Sequence, residues 1–157
     1  MTQSPHRIVV ATDFGDSSRV ALDWAVDLAR VLRCDVTVVH AFDMPIYGVP
    51  DAAFLVDAKT AARLSNDAQR ALDAEVDRVR ELGVTVAGRL LQGDPREVIP
   101  PFAAQEAARL LVVGTHGRRG LGRMLLGSVA ESIVRVASVP VVVVRRPTPD
   151  ATASRSS

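Results

Sequence analysis

Short apolar runs alternate along this chain with longer stretches whose apolar residues return every third or fourth position. The runs Ile8 to Ala11, Val36 to Phe42, Val84 to Leu91, Leu110 to Val113 and Val141 to Val144 read as strands. Most are apolar almost throughout, the pattern of a strand covered on both faces, while Val84 to Leu91 alternates at its start. After the first run, Ala21, Trp24, Ala25, Leu28 and Leu32 share one helical face, and Arg19, Asp23, Asp27 and Arg30 share the other. That spacing assigns Trp24 to the core. Asp16, Ser17 and Ser18 are candidate caps for this helix.

A longer helix ending near Leu82 is predicted by Ala61, Leu64, Ala68, Leu72, Val76, Val79 and Leu82, with Gly83 as its stop. Arg63, Asp67, Arg70, Asp77 and Arg80 form its solvated face. The stretch before it, Asp43 to Val56, carries Pro45, Gly48 and Pro50 and reads as irregular. Asp94, Pro95 and Glu97 mark the next helix start, with Asp94 as N-cap. Pro100 and Pro101 each lack a donor, which predicts a short first piece, a kink and a second piece to about Ala108. The last helix begins at Ser128 and carries Val129, Ile133, Val134 and Ala137. Ser128 and Glu131 match a capping box. Pro140 stands at the start of the last strand, where its missing donor does least harm. Strands joined by helices in this order imply a parallel sheet with helices on both faces and right-handed crossovers. The pattern leaves the order of strands within the sheet open.

A chain of 157 residues, 48% of them apolar, is expected to form one globular domain. Residues 1–6 read as a flexible N-terminus, 7–146 as the domain and 147–157 as a disordered tail. A formal net charge of +1 and an aromatic content of 4% argue against a nucleic-acid partner. Cys34 is the single cysteine, so no internal disulfide forms, and it reads as a small packed residue. No apolar run reaches membrane-spanning length and no secretory signal precedes the first strand, which makes a cytoplasmic protein without a membrane partner the expectation.

The candidate chemistry lies between the fourth strand and the last helix. Gly114, Gly117, Gly120, Gly122 and Gly127 punctuate this loop, with Arg118, Arg119 and Arg123 between them. Glycine lets backbone N–H groups approach a phosphate closely, and a helix N-terminus offers unpartnered N–H groups with partial positive charge. Arginine adds forked donors and neutralising charge. The known nucleotide motifs do not fit. Gly122 to Ser128 has Ser128 where a P-loop needs lysine, and the turn after the first strand, Asp13-Phe14-Gly15-Asp16, lacks the dinucleotide fingerprint. His40, inside a strand, reads as a buried histidine with a partner. No serine sits in a nucleophile elbow, and no His/Cys/carboxylate group has metal-ligand spacing.

Gly114-Thr115-His116-Gly117, nine residues, then Gly127-Ser128 resembles the ATP-binding signature of the universal stress proteins, Gly-x-x-Gly-x9-Gly-(Ser/Thr). Asp13 after the first strand is an independent match, and the resemblance covers roughly residues 7 to 146. It implies a Rossmann-like three-layer α/β/α fold of the adenine nucleotide alpha hydrolase-like type, with a five-stranded parallel sheet in the order 3-2-1-4-5. The first and fourth strands would then be neighbours, and ligands of open α/β sheets bind where the strand order reverses. In that family's pattern Asp13 contacts the nucleoside, with capping of the first helix as its alternative role, and the backbone of Ala41 pairs with the adenine edge. Thr12 flanks the crevice. Gly114 and Gly117 shape the loop around the ribose and first phosphates, and His116 touches ligand at most. Gly127, Ser128 and Val129 offer helix-terminal N–H groups, and Ser128 its hydroxyl, to the distal phosphates, while Arg118 and Arg119 neutralise them or point to solvent.

The resemblance implies a stress-response sensor that binds ATP, with Mg2+ or Mn2+ arriving on the phosphates. It also implies a homodimer paired through Val141 to Val144, which suits an exposed apolar edge strand. Two alternatives stand beside it: a slow ATPase or phosphotransferase, and a dimeric interaction module that binds no nucleotide.

Overall fold

The computed structural model describes residues 6–43, 58–115 and 126–147. The expectations for most of both termini, for residues 44–56 of the stretch read as irregular, and for most of the glycine loop lie outside the described residues.

The described elements run β1 (Arg7–Ala11), α1 (Asp16–Leu32), β2 (Asp35–Phe42), α2 (Ala58–Glu81), β3 (Val86–Gln92), α3 (Pro95–Gln105), β4 (Leu110–Gly114), α4 (Ser128–Val136) and β5 (Val141–Val144). All strand pairs are parallel, and the sheet order is β3-β2-β1-β4-β5. The order implied by the resemblance is the one observed.

Side chains of successive strand residues point to opposite faces, and the two cores divide on that alternation. Ile8, Val10, Val36, Val38 and Val112 pack with Ala21, Leu22, Ala25 and Val26 of α1 and with Leu72 and Val79 of α2. Val9, Val39, Leu111 and Val113 pack on the other face with Ile99 and Ala103 of α3 and with Ala130 and Ile133 of α4. Strands buried on both sides need apolar residues at every position, which is why their sequences do not alternate. On the first face, Glu75 of α2 is buried and accepts hydrogen bonds from Arg19 of α1 and Arg78, each at 3.0 Å. Arg78 also reaches Asp23 at 2.7 Å, so a charged network joins the two helices. Cys34 is buried, as expected of a packed thiol.

Several expectations are corrected. Trp24 is 40% exposed rather than part of the core. The buried arc of α1 is centred on Ala21, Leu22, Ala25, Val26 and Ala29, and Trp24 lies about a third of a turn away from that centre at roughly 100° per residue. Leu32, in the last turn of the same helix, is also exposed. On α2, burial is concentrated between Leu72 and Val79 and Leu64 is exposed, as is Leu82 just beyond its end. The caps differ as well. Gly15 is the N-cap of α1, with Asp16, Ser17 and Ser18 inside the first turn. Gly127 is the N-cap of α4 without a side-chain cap bond, so Ser128 occupies the first helical position and the capping box with Glu131 does not form. Val129 and Val134 of α4 are exposed.

The expected break in α3 is also absent, and one helix runs through Pro100 and Pro101. Ile99, Pro100 and Ala103 are buried, and tertiary packing of that face offsets the missing donors. Its N-terminus follows expectation: Asp94 caps it, accepting from Arg96 N–H at 2.8 Å, with Pro95 at the first position.

Exposure of Trp24 generates a contrast with its fully buried neighbour. Leu22→Ala is expected to lower the unfolding free energy by about 2–5 kcal/mol, and Trp24→Gln by less than about 1.5 kcal/mol. Urea denaturation monitored by circular dichroism measures both. Equal losses would place Trp24 back in the core.

Candidate functional site

β1 and β4 are neighbours whose connections leave on opposite faces, β1 through α1 and β4 towards α4. A crevice opens at their carboxyl ends, as expected at a reversal of strand order. The cavity there has a volume of about 220 Å³. Asp13 from the end of β1 and Gly127, Ser128 and Val129 from the start of α4 line it together. Thr12, Ala41 and Gly114 line it too. His116, Gly117, Arg118 and Arg119 lie outside the described residues.

The turn after β1 is organised by a hydrogen-bond chain. Phe14 N–H donates to Thr12 Oγ1 at 3.0 Å, and Thr12 Oγ1 lies 3.2 Å from Ser18 Oγ. Ser18 Oγ lies 2.7 Å from Asp13 Oδ1 and 3.0 Å from Gly15 O. A hydroxyl has one proton, and the shorter, charge-assisted bond to the carboxylate takes it. Thr12 Oγ1 then donates to Ser18 Oγ, and the chain runs in one direction from Phe14 to Asp13. Gly15 N–H donates to the same Asp13 Oδ1 at 2.9 Å. Among the described residues, both hydrogen bonds to this carboxylate end on Oδ1, so Oδ2 is the oxygen left to meet a ligand. Phe14, in the middle of the turn, has φ +62°, a left-handed conformation that strains a bulky side chain.

The opposite wall is a helix N-terminus. Gly127 N–H donates to Thr115 O, which ties the start of α4 to the end of β4. The first bond inside the helix is Glu131 N–H to Gly127 O at 2.9 Å. The amides of Ser128, Val129 and Ala130 therefore have no partner within the helix and carry its partial positive charge. Between the two walls the lining is apolar, with Ala41, Ile99, Val113 and Ile133 contributing. The crevice thus offers an acceptor at one end, amide donors at the other and an apolar floor between, an arrangement suited to a flat apolar ring carrying an anionic group.

His40 is half-buried rather than buried, and it has the expected partner: its Nδ1 lies 2.8 Å from Thr12 O. Its ring packs on Phe14 with centroids 4.3 Å apart. At the rim, Arg96 holds the Asp94 carboxyl down at about 2, chiefly through its side-chain hydrogen bond. A folded-state value depressed in this way keeps the α3 cap charged until the pH falls towards that value. Among the described residues no group of three or more metal-ligating side chains occurs.

Sequence reasoning missed Ser18 and His40 as members of the site, and it missed Pro95 and Ile99 from α3. The hydroxyl of Ser18, in the first turn of α1, was the available signal for the first. The α3 residues reach the crevice through packing across the sheet, which no local pattern announces. Gly114 has a role beyond the loop. A Cβ there would lie 2.8 Å from Ser17 O and 2.9 Å from Ser17 Oγ, so α1 sits against β4 in the space a side chain would take. Gly114→Ala is expected to cost about 1–3 kcal/mol of stability by forcing the helix away. A urea midpoint equal to that of the unaltered chain would overturn this packing account.

Comparison with known proteins identifies the family. The model of the universal stress protein family matches residues 5–145. Universal stress protein MJ0531 of Methanocaldococcus jannaschii is 34% identical over 143 residues, covering 90% of this chain and 82% of its own. A solved universal stress protein family member from Burkholderia pseudomallei is 29% identical with a TM-score of 0.69, covering 88% of this chain and 94% of its own. The Archaeoglobus fulgidus universal stress protein, solved in complex with dAMP, is 26% identical with a TM-score of 0.63 and covers 88% of this chain and 96% of its own. From its residues 5–145 and its shared architecture, the chain belongs to the universal stress protein family.

Proposed function

We propose that the crevice binds an adenine nucleotide, with ATP as its ligand, and that the chain acts as a stress-response nucleotide sensor through binding rather than turnover. The observation that carries this reading is the meeting of Asp13 and the α4 N-terminus in one cavity, although they are distant along the chain. The dAMP complex of the Archaeoglobus fulgidus relative supports the adenosine part. Asp13 Oδ2 would accept from the nucleoside, the Ala41 backbone would pair with the base edge, and the Ser128 and Val129 amides with the Ser128 hydroxyl would hold phosphates. Gly117, His116, Arg118 and Arg119 belong to the same reading through the family pattern. Mg2+ or Mn2+ would be bound chiefly by the phosphates.

Calorimetric titration tests the binding. ATP with magnesium is expected to give a saturable heat, and Asp13→Asn to weaken binding by about 10-fold or more, since hydrogen bonds to charged groups contribute about 1.5–3 kcal/mol. Absence of heat at high protein concentration removes the reading.

We also infer a homodimer paired through β5. This strand is at the sheet edge and half-buried throughout. Pro140 O and Val144 O accept from β4 and its following residue, so the backbone groups of the even positions point to β4 and those of Val141 and Val143 point away from it. An edge unpaired among the described residues is a template for a second strand. Val143→Pro removes an outward donor while leaving the β4 pairing intact, and is expected to convert a dimer to a monomer in light scattering. A monomeric mass for the unaltered chain at micromolar concentration rejects the dimer.

A further inference from the structure

We propose that His40 is a positioning residue that prepares the base-binding end of the crevice by ending the β1–β2 ladder one hydrogen bond early. The proposal rests on the reading of the crevice as an adenine-nucleotide site. Thr12 N–H donates to Val39 O at 2.9 Å, so Val39 turns its backbone groups towards β1, and Ala41, two residues on, turns the same way. The next bond of a parallel ladder would run from Ala41 N–H to Thr12 O. Among the described residues that carbonyl instead meets the His40 ring, with Nδ1 at 2.8 Å. A carbonyl oxygen accepts and does not donate, so Nδ1 carries the proton.

The ring is held on its other side by Phe14, at a centroid distance of 4.3 Å and an interplanar angle of 36°. Phe14 is the left-handed residue of the turn, and its N–H donates to Thr12 Oγ1. One imidazole therefore braces both the Thr12 carbonyl and the strained turn that aims Asp13. By occupying Thr12 O, it leaves the Ala41 amide facing the crevice for a base edge. Replacing the ring by an aliphatic group would free Thr12 O, and the ladder could then zip one bond further onto Ala41. His40 also lines the cavity, and in this account its effect on the base-binding end runs through Thr12 and Ala41.

The test uses the full chain in three measurements. Nitrogen NMR of the imidazole is expected to show a proton on Nδ1 of His40; a ring protonated on Nε2 alone overturns the proposal. Hydrogen exchange of the Ala41 amide is expected to be fast in the unaltered chain and at least about 10-fold slower in His40→Leu, because that amide gains a backbone partner. Equal protection in the two proteins overturns it. AMP binding is expected to weaken by about 10-fold in His40→Leu, the loss of about one hydrogen bond, and to recover in His40→Asn, which restores a donor near the Nδ1 position. If His40→Leu does not fold, the NMR form and the Ala41 exchange of the unaltered chain decide. If the unaltered chain binds neither AMP nor ATP, the proposed function fails. If it binds and His40→Leu binds equally well, this inference fails alone.

Discussion

Two adjacent parallel strands whose connections leave on opposite faces cannot be covered by one helix at their carboxyl ends. That constraint creates the crevice between β1 and β4, and the other features of the site follow from it. α1 departs on one side and α4 returns on the other, so a turn and a helix N-terminus face each other across the gap. The acceptor comes from the first and the donors from the second. Neither is a site alone.

Asp13 both braces the turn after β1 and lines the cavity. Oδ1 is taken up by Gly15 N–H and Ser18 Oγ, which hold the turn and the start of α1. The helix-capping role that the sequence offered for Asp13 is not taken, because Gly15 is the N-cap of α1 with no side-chain cap bond; Oδ1 instead braces the turn before the helix, and Oδ2 stays open. The hydrogen-bond chain from Phe14 through Thr12 and Ser18 fixes the side chain before any ligand arrives, which reduces the ordering that binding would require. Gly114 acts in the same direction by letting α1 lie against β4, where a side chain would push the walls apart.

The strands were legible because burial on both faces demands apolar residues at consecutive positions, a pattern visible in Ile8 to Ala11 and Leu110 to Val113. Asp94 and Pro95 announced the start of α3 because a helix cap is a local interaction. The helical faces were less well read. Trp24 and Leu64 match an apolar period, but the period does not say where the sheet ends beneath the helix. Likewise, Pro100 and Pro101 oppose helix locally and are overruled by packing.

By itself the sequence determined that there would be a parallel sheet with helices on both faces, and that Asp13, Gly114 and Ser128 were the residues to watch. Local periodicity and backbone chemistry suffice for that, and the family pattern supplied the strand order. Tertiary structure decided which oxygen of Asp13 is engaged, that Gly127 rather than Ser128 caps α4, and that Pro95, Ile99 and Ser18 reach the crevice. The approach of α3 to the crevice is a contact between elements distant along the chain, set by the distance at which helices pack on a sheet. The Asp13 bonds and the α4 cap are local, but they depend on backbone angles of the turn and helix start that residue types alone do not specify.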